Sequence, residues 1–217
     1  MLLEVKIRKK LKEFTLDVDF VVKDAVLGLM GSSGSGKSMT LKCIAGIEEP
    51  DEGRIVLDGR VLFDSQQGIS LKPQQRHIGY MFQSYALFPN MTVKQNILCG
   101  LEVRGLSASR QEQCLQELLT RFQLQAIAES YPRQISGGQK QRAALARMLG
   151  AAPQVILLDE PFSALDTGLK QELRQELQEL LQERGGATIL VSHDKQEIEL
   201  LSASHRKIEQ GRFVAYE

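Results

Sequence analysis

The sequence predicts an α/β fold with a central, mostly parallel sheet, an antiparallel β edge subdomain and an inserted helical subdomain. Three observations point there. Early stretches alternate apolar and polar residues, later ones are continuous apolar runs, and between the runs lies a region with helical period.

Leu3, Val5 and Ile7 alternate with charged residues, and Phe14, Leu16, Val18 and Phe20 alternate with Thr15, Asp17 and Asp19. Such alternation suits a half-exposed antiparallel hairpin, read here as edge strands. Ala25 to Met30, Val155 to Leu158 and Thr188 to Val191 are unbroken apolar runs, as expected of parallel strands covered on both faces. Leu115, Leu118, Leu119 and Phe122 share a helix face, with Ser109 and Glu112 upstream at capping-box spacing. A later helix carries Leu169, Leu173, Leu177, Leu180 and Leu181 on one stripe and stops at Gly185-Gly186. Arg206 to Glu217 reads as a closing hairpin around Gly211. Neither internal repeats nor low-complexity segments interrupt the pattern.

With 217 residues, 42% of them hydrophobic and 25% charged, the chain suits one ordinary soluble domain with a real core, which excludes disorder and fibres. Lys plus Arg equals Asp plus Glu at 27 each, so no nucleic acid is expected as the main partner. The first ten residues lack the apolar core of a signal peptide, and no run approaches the roughly 18 apolar residues of a membrane span. The expected location is therefore cytoplasmic, with membrane contact only through partners. Cys43, Cys99 and Cys114 are odd in number and in no C-x-x-C pair, so they are expected as small buried or half-buried side chains rather than disulfides or zinc ligands.

Gly31-Ser32-Ser33-Gly34-Ser35-Gly36-Lys37-Ser38 fits G-x-x-x-x-G-K-[ST] between a buried strand and a helix expected to start near Met39. Glycines let several backbone N–H groups converge on phosphate oxygens, and the helix amino terminus adds partial positive charge. Lys37 supplies a full charge to the β- and γ-phosphates, and the Ser38 hydroxyl is a hard oxygen suited to Mg²⁺. The run Val155 to Leu158 then delivers Asp159 and Glu160 to the carboxyl end of a central strand. Because successive strand residues point to opposite sides, Asp159 is read as a Mg²⁺ ligand and Glu160 as general base to an attacking water. A third element, Ile135-Ser136-Gly137-Gly138-Gln139, precedes an Ala- and Arg-rich helix running toward Pro153. Ser136 is a suitable N-cap and the glycines permit close backbone approach, so this is either a second phosphate cradle or simply a capped helix.

Together these residues resemble the ATPase subunits of ABC transporters, over nearly the whole chain. Gly31 to Ser38 resembles that family's Walker A, Gln83 its Q-loop, Ile135 to Gln139 its signature, Val155 to Glu160 its Walker B, Ser163 to Asp166 its D-loop and His193 its switch histidine. Ile135 stands where the family more often has Leu, a volume-conserving change. The resemblance implies one P-loop NTPase domain over 1–217, with a RecA-like core and antiparallel β subdomain at about 1–86 and 151–217 and a helical subdomain at about 87–150. It further implies ATP and Mg²⁺ as cofactors and a homodimer in which Ser136, Gly137, Gly138 and Gln139 of one copy close over a nucleotide held by the other. Gln83 would join Ser38 and Asp159 at Mg²⁺, and His193 would orient water and carboxylate beside Glu160 and Lys37. Asp166, besides capping the leucine-striped helix, would help the copies communicate. Met39 completes the first cradle, and Phe14 is either a hairpin residue or a stacking surface for adenine.

Tyr85-Ala86-Leu87-Phe88-Pro89 is an apolar, proline-ended surface candidate for receiving a helix from an integral membrane permease subunit, with a solute-binding protein involved indirectly. The segment from Gly59 through Asn96 looks like the molybdate-type importer ATPases, with sulfate, tungstate, polyamine and ferric importers as near neighbours. A small β-rich regulatory domain usually follows in molybdate-type subunits, and the sequence stops at Glu217 before any such domain, which leaves open either a natural short form or a longer protein, and regulation with it. DNA-repair and ribosome-associated ABC ATPases share the two cradles, but the former would show a long coiled coil and a basic surface, and the latter two cassettes in one chain.

Overall fold

Side-chain alternation decides where the core sits. In the computed structural model, which describes residues 1–163, 165 and 167–214, the strand Val155–Asp159 is buried at every position. Val155 and Leu157 face one apolar cluster while Ile156 and Leu158 face the other. That double burial is why the run carries no alternation. Each such Leu, Ile or Val contributes about 1.5–3 kcal/mol relative to exposure. Asp166, and with it the capping expected of that residue, lies outside the described residues, as do Ala164, the side chain of Leu169 and Ala215 to Glu217.

Among the described residues the strands are β1 (Leu2–Lys10), β2 (Thr15–Lys23), β3 (Val26–Met30), β4 (Glu52–Leu57), β5 (Arg60–Asp64), β6 (Ile69–Ser70), β7 (Ile78–Met81), β8 (Val155–Asp159), β9 (Thr188–Val191), β10 (Ser204–Glu209) and β11 (Arg212–Val214). They form one sheet in the order β6-β5-β4-β1-β2-β11-β10-β3-β9-β8-β7. From β10 to β7 the neighbours run parallel, and from β2 to β6 antiparallel. The expected hairpin pairs Leu2 to Lys10 with Thr15 to Lys23, but β1 lies between β2 and β4, and β2 between β1 and β11. These are interior strands, not edges, because alternation reports which face meets water and says nothing about lateral neighbours.

The helices are α1 (Lys37–Ala45), α2 (Val93–Glu102), α3 (Ala108–Arg121), α4 (Gly137–Gly150), α5 (Thr167–Arg184) and α6 (Lys195–Leu201). One cluster holds α1 between the parallel strands and β1, β2 and β4, and the other packs α2 to α6 on the opposite face. Leu115, Leu119 and Phe122 are buried on α3 and its end as the period requires, but its cap is Ser107, whose hydroxyl accepts from the Arg110 N–H. Ser109 lies inside the helix, so the capping box expected there does not form. Leu173, Leu177, Leu180 and Leu181 are buried along α5. All three cysteines are free, Cys43 and Cys114 buried and Cys99 partly so. No helix among the described residues is long and apolar enough to cross a membrane.

Candidate nucleotide site

The sheet topology brings the carboxyl ends of β3, β7, β8 and β9 to one side, so loops far apart in sequence meet there. After β3 the chain enters the Gly31 to Gly36 loop. Gly31 has φ +153° and a Cβ placed on it would lie 2.3 Å from the Ile208 carbonyl oxygen, so only glycine passes beneath β10. Gly36, at φ +111°, turns the backbone into α1, which begins at Lys37, two residues before the expected start. Lys37 and Ser38 therefore occupy the first helical turn, where N–H groups lack intrahelical partners. Met39 packs against the core rather than opening into the loop.

The loop carries marks of an anion site. Lys37 is buried, and its ammonium donates to the main-chain oxygens of Gly31 and Ser32, both at 2.8 Å. Burial pushes its pKa down, against the opposing pull of Glu160 and Asp159. The buried Ser35 hydroxyl has no hydrogen-bond partner, and a Cβ at Gly34 would meet no atom within 4 Å. An ammonium held by carbonyls, an unpaired hydroxyl and an open glycine fit a multiply charged oxyanion such as a triphosphate.

At the end of β8, Asp159 is nearly buried and both its oxygens are engaged. Ser38 Oγ donates to Oδ1 at 2.8 Å, and the Tyr80 hydroxyl donates to Oδ2 at 2.9 Å. Burial holds the Tyr80 phenol well above its usual pKa, reinforced by the adjacent Asp159 charge and this hydrogen bond. Hydroxyl and carboxylate oxygens side by side are a hard donor set of the kind Mg²⁺ takes. Gln83, exposed just past β7, lines a cleft of about 500 Å³ with Ser38, Lys42, Asp159 and Ser163.

Glu160 diverges from Asp159 for a different reason than strand alternation. Its φ is +48°, so the chain leaves the strand in a left-handed turn, held by the Glu160 N–H to Val191 O at 2.9 Å and by Ser163 Oγ to Glu160 O at 3.0 Å. A non-glycine residue in that region costs about 1–3 kcal/mol, a cost often found at functional sites. The Glu160 carboxylate accepts from His193 Nδ1 at 2.8 Å. His193 follows β9 and precedes Asp194, the N-cap of α6.

Phe14 lies in the turn before β2 and lines a cavity with Thr15, Ser32, Gln210 and Arg212. Its ring approaches the phosphate loop at Gly36 and the turn at Gly211, so Phe14 flanks the loop instead of joining the core alternation. Ser136 caps α4 as expected, and a full capping box forms: Gln139 N–H donates to Ser136 Oγ at 3.3 Å and Ser136 N–H to Gln139 Oε1 at 2.9 Å. Ser136 is exposed, and neither it nor Gly137, Gly138 and Gln139 lines the clefts at Ser32 and Ser38.

The surface expected at Tyr85 to Pro89 is only partly external. Tyr85 is buried in the apolar core, with burial raising its phenol to about 12, whereas Phe88 and Pro89 are exposed. The inward turn of Tyr85 follows from its left-handed backbone, φ +63°, with Ala86 at +45°. Two residues assigned no role from sequence organise this loop. Arg147, on α4, donates to Ala86 O at 2.7 Å and Tyr85 O at 3.0 Å and lies over the Phe88 ring. Asn96, fully buried on α2, exchanges hydrogen bonds with Phe88 and also donates to Met91 and Thr92 carbonyls. A further one is Tyr80, whose position three residues before Gln83 on the strand beside β8 was the available signal.

A phosphate-binding loop entering a helix, beside a strand-end carboxylate pair, defines a P-loop nucleotide-hydrolysing α/β domain. The family model described as ABC transporter matches residues 15–163, and the chain belongs to that family as an ATP-binding, ATP-hydrolysing cassette. It is 43% identical over 212 residues, 94% of its length, to the sulfate/thiosulfate import ATP-binding protein CysA of Synechocystis sp.. The identity to the molybdenum import ATP-binding protein ModC of Paramagnetospirillum magneticum is 36% over 214 residues, 99% of this chain. The chain spans 58% of the length of each of these two relatives. A solved dimeric ATP-binding cassette in a post-hydrolysis state with ADP and Pi superposes with a TM-score of 0.83 at 28% identity, covering 100% of this chain and 98% of that one.

Proposed function

We propose that the chain is the motor subunit of an importer for a tetrahedral oxyanion, working on the cytoplasmic face of a membrane as a pair of copies that bind ATP between them. The observation that carries this is the separation of the two cradles. Lys37, Ser38, Asp159, Glu160 and His193 converge within one chain, while Ser136 is exposed at the start of α4 and none of Ser136 to Gln139 lines the clefts at Ser32 and Ser38.

In this reading Gly31 to Lys37 and the first turn of α1 hold the phosphates, with Met39 supporting the loop from the core side, and Ser38, Asp159 and Gln83 hold Mg²⁺. When bound there, Mg²⁺ would supply positive charge against the negative charge that develops in phosphoryl transfer. Glu160 takes the proton of an attacking water, and His193 holds the carboxylate turned toward it. Phe14 offers a π-face to the base. Ser136, Gly137, Gly138 and Gln139 of one copy close on the triphosphate of the other, and Asp166 links the copies. Residues about 87–150 act as a helical subdomain carrying that closing surface, and the exposed Phe88 and Pro89 receive the permease.

The oxyanion class is supported by relatives named for sulfate/thiosulfate and for molybdenum import. Sulfate or thiosulfate has the better support, since that relative is 43% identical against 36% for the molybdenum one. This displaces the molybdate expectation as first choice. Isolation with the native membrane subunits, followed by calorimetry of the associated solute-binding protein against sulfate, thiosulfate, molybdate and tungstate, tests it. Binding of a polyamine or ferric ion alone would reject the oxyanion class.

A further inference from the structure

Asp159 is held from two sides by hydroxyls on different elements: Ser38 on α1 reaches Oδ1 and Tyr80 on β7 reaches Oδ2. A carboxylate turns easily about its last torsion, a broad and nearly two-fold rotor. With a donor fixed on Oδ2, that rotation stops and Oδ1 stays directed at Ser38. The two hydroxyls are not equivalent. Ser38 is read above as a cation ligand, whereas Tyr80 approaches the opposite oxygen of the carboxylate.

The phenol is itself well fixed. Parallel pairing of β7 with β8 sets Tyr80 opposite Leu157, two residues before Asp159, and its ring packs on Phe82 with centroids 4.3 Å apart. Phe82 in turn lines the cleft shared by Ser38, Gln83 and Asp159. Among the described residues, Ser38 and Tyr80 supply the side-chain hydrogen bonds to Asp159.

We propose that Tyr80 is a positioning residue for the divalent cation, its hydroxyl locking the Asp159 carboxylate so that Oδ1 is preset as a ligand. Groups that orient a metal ligand typically change metal affinity by 10–100-fold when removed. The inference rests on the assignment of Ser38 and Asp159 to the cation. Tyr80→Phe removes the hydroxyl and keeps the ring on Phe82.

The test is a Mn²⁺ titration, read by electron paramagnetic resonance, of the chain saturated with ADP, alongside ADP affinity measured in chelator without metal. Tyr80→Phe is expected to weaken Mn²⁺ by about 10-fold while leaving metal-free ADP affinity unchanged. Unchanged Mn²⁺ affinity overturns the inference, and so does a parallel loss of metal-free ADP affinity, which would make the phenol a packing group. Asp159→Asn serves as the reference. If that variant binds Mn²⁺ like the parent chain, the assignment of Asp159 to the cation falls, and the role of Tyr80 with it.

Discussion

The two glycine-rich turns of this molecule do the same thing to a helix and leave it in different states. At Gly31 to Ser38 the strand, the loop, Asp159 and the buried ammonium of Lys37 enclose the amino end of α1. At Ser136 to Gln139 the amino end of α4 is capped by its own Ser136 and Gln139 side chains, with Ser136 exposed. A single chain thus surrounds one helix start with charged and polar groups and leaves the other held by its own cap alone. That asymmetry is what the proposed sharing of a nucleotide between two copies would use.

The sharpest way to break the comparison is chemical. Glu160→Gln should lower turnover by at least ~10²-fold, the usual loss for a general base, with ATP affinity kept and an ATP-bound dimer accumulating. Phosphate release and size exclusion read both, and near-normal hydrolysis removes Glu160 from the role. Ser136→Glu should leave nucleotide binding to the monomer intact and weaken ATP-dependent dimerisation by roughly 10²-fold through like-charge repulsion. Sedimentation of an unaltered dimer would mean that the turn at Ser136 is only a helix cap. Lys37→Ala should weaken ATP by roughly 10–100-fold, as expected for hydrogen bonds to a charged group, and calorimetry showing parent-like affinity would contradict the cradle at Gly31 to Ser38.

The smallest effect concerns the ledge that carries His193. Asp194 is pulled up by burial, but the Gln196 N–H and the Arg174 guanidinium outweigh this and hold its carboxyl below the usual range. Its folded pKa is depressed, so its stabilisation is present above the ordinary carboxyl value of 3.8 and is lost as pH falls through the lower folded value. Asp194→Asn should therefore reduce stability by less than about 1 kcal/mol near neutrality, as for a partly exposed pair. The difference should shrink as pH falls below 3.8. Thermal melts of both proteins from pH 7 down to about 3 check the sign, and a gap that widened on acidification would refute it.

Residues whose meaning is local were legible in the sequence. The phosphate loop, the apolar runs of β8 and β9 and the Ser136 cap follow from spacing and period, and each stands where expected. What escaped depends on neighbours distant in sequence. That β1 and β2 are interior depends on β4 and β11 docking beside them, and the Tyr80 bond depends on the register of β7 against β8. The left-handed turn at Glu160 escaped because only glycine announces such a backbone in advance. Ser107 won over Ser109 as cap although the latter has Glu three residues on, since a helix can begin at either hydroxyl and packing chooses the start.

The grip of Arg147 has a mechanical corollary. Its guanidinium holds the carbonyls of both Tyr85 and Ala86 from near the far end of α4, whose first residue is Gly137. Fourteen residues of α-helix form a nearly stiff rod of about 21 Å. Tilting the glycine turn at the start of α4 is expected to shift the Phe88 loop with it, since Arg147 ties that loop to the same rod.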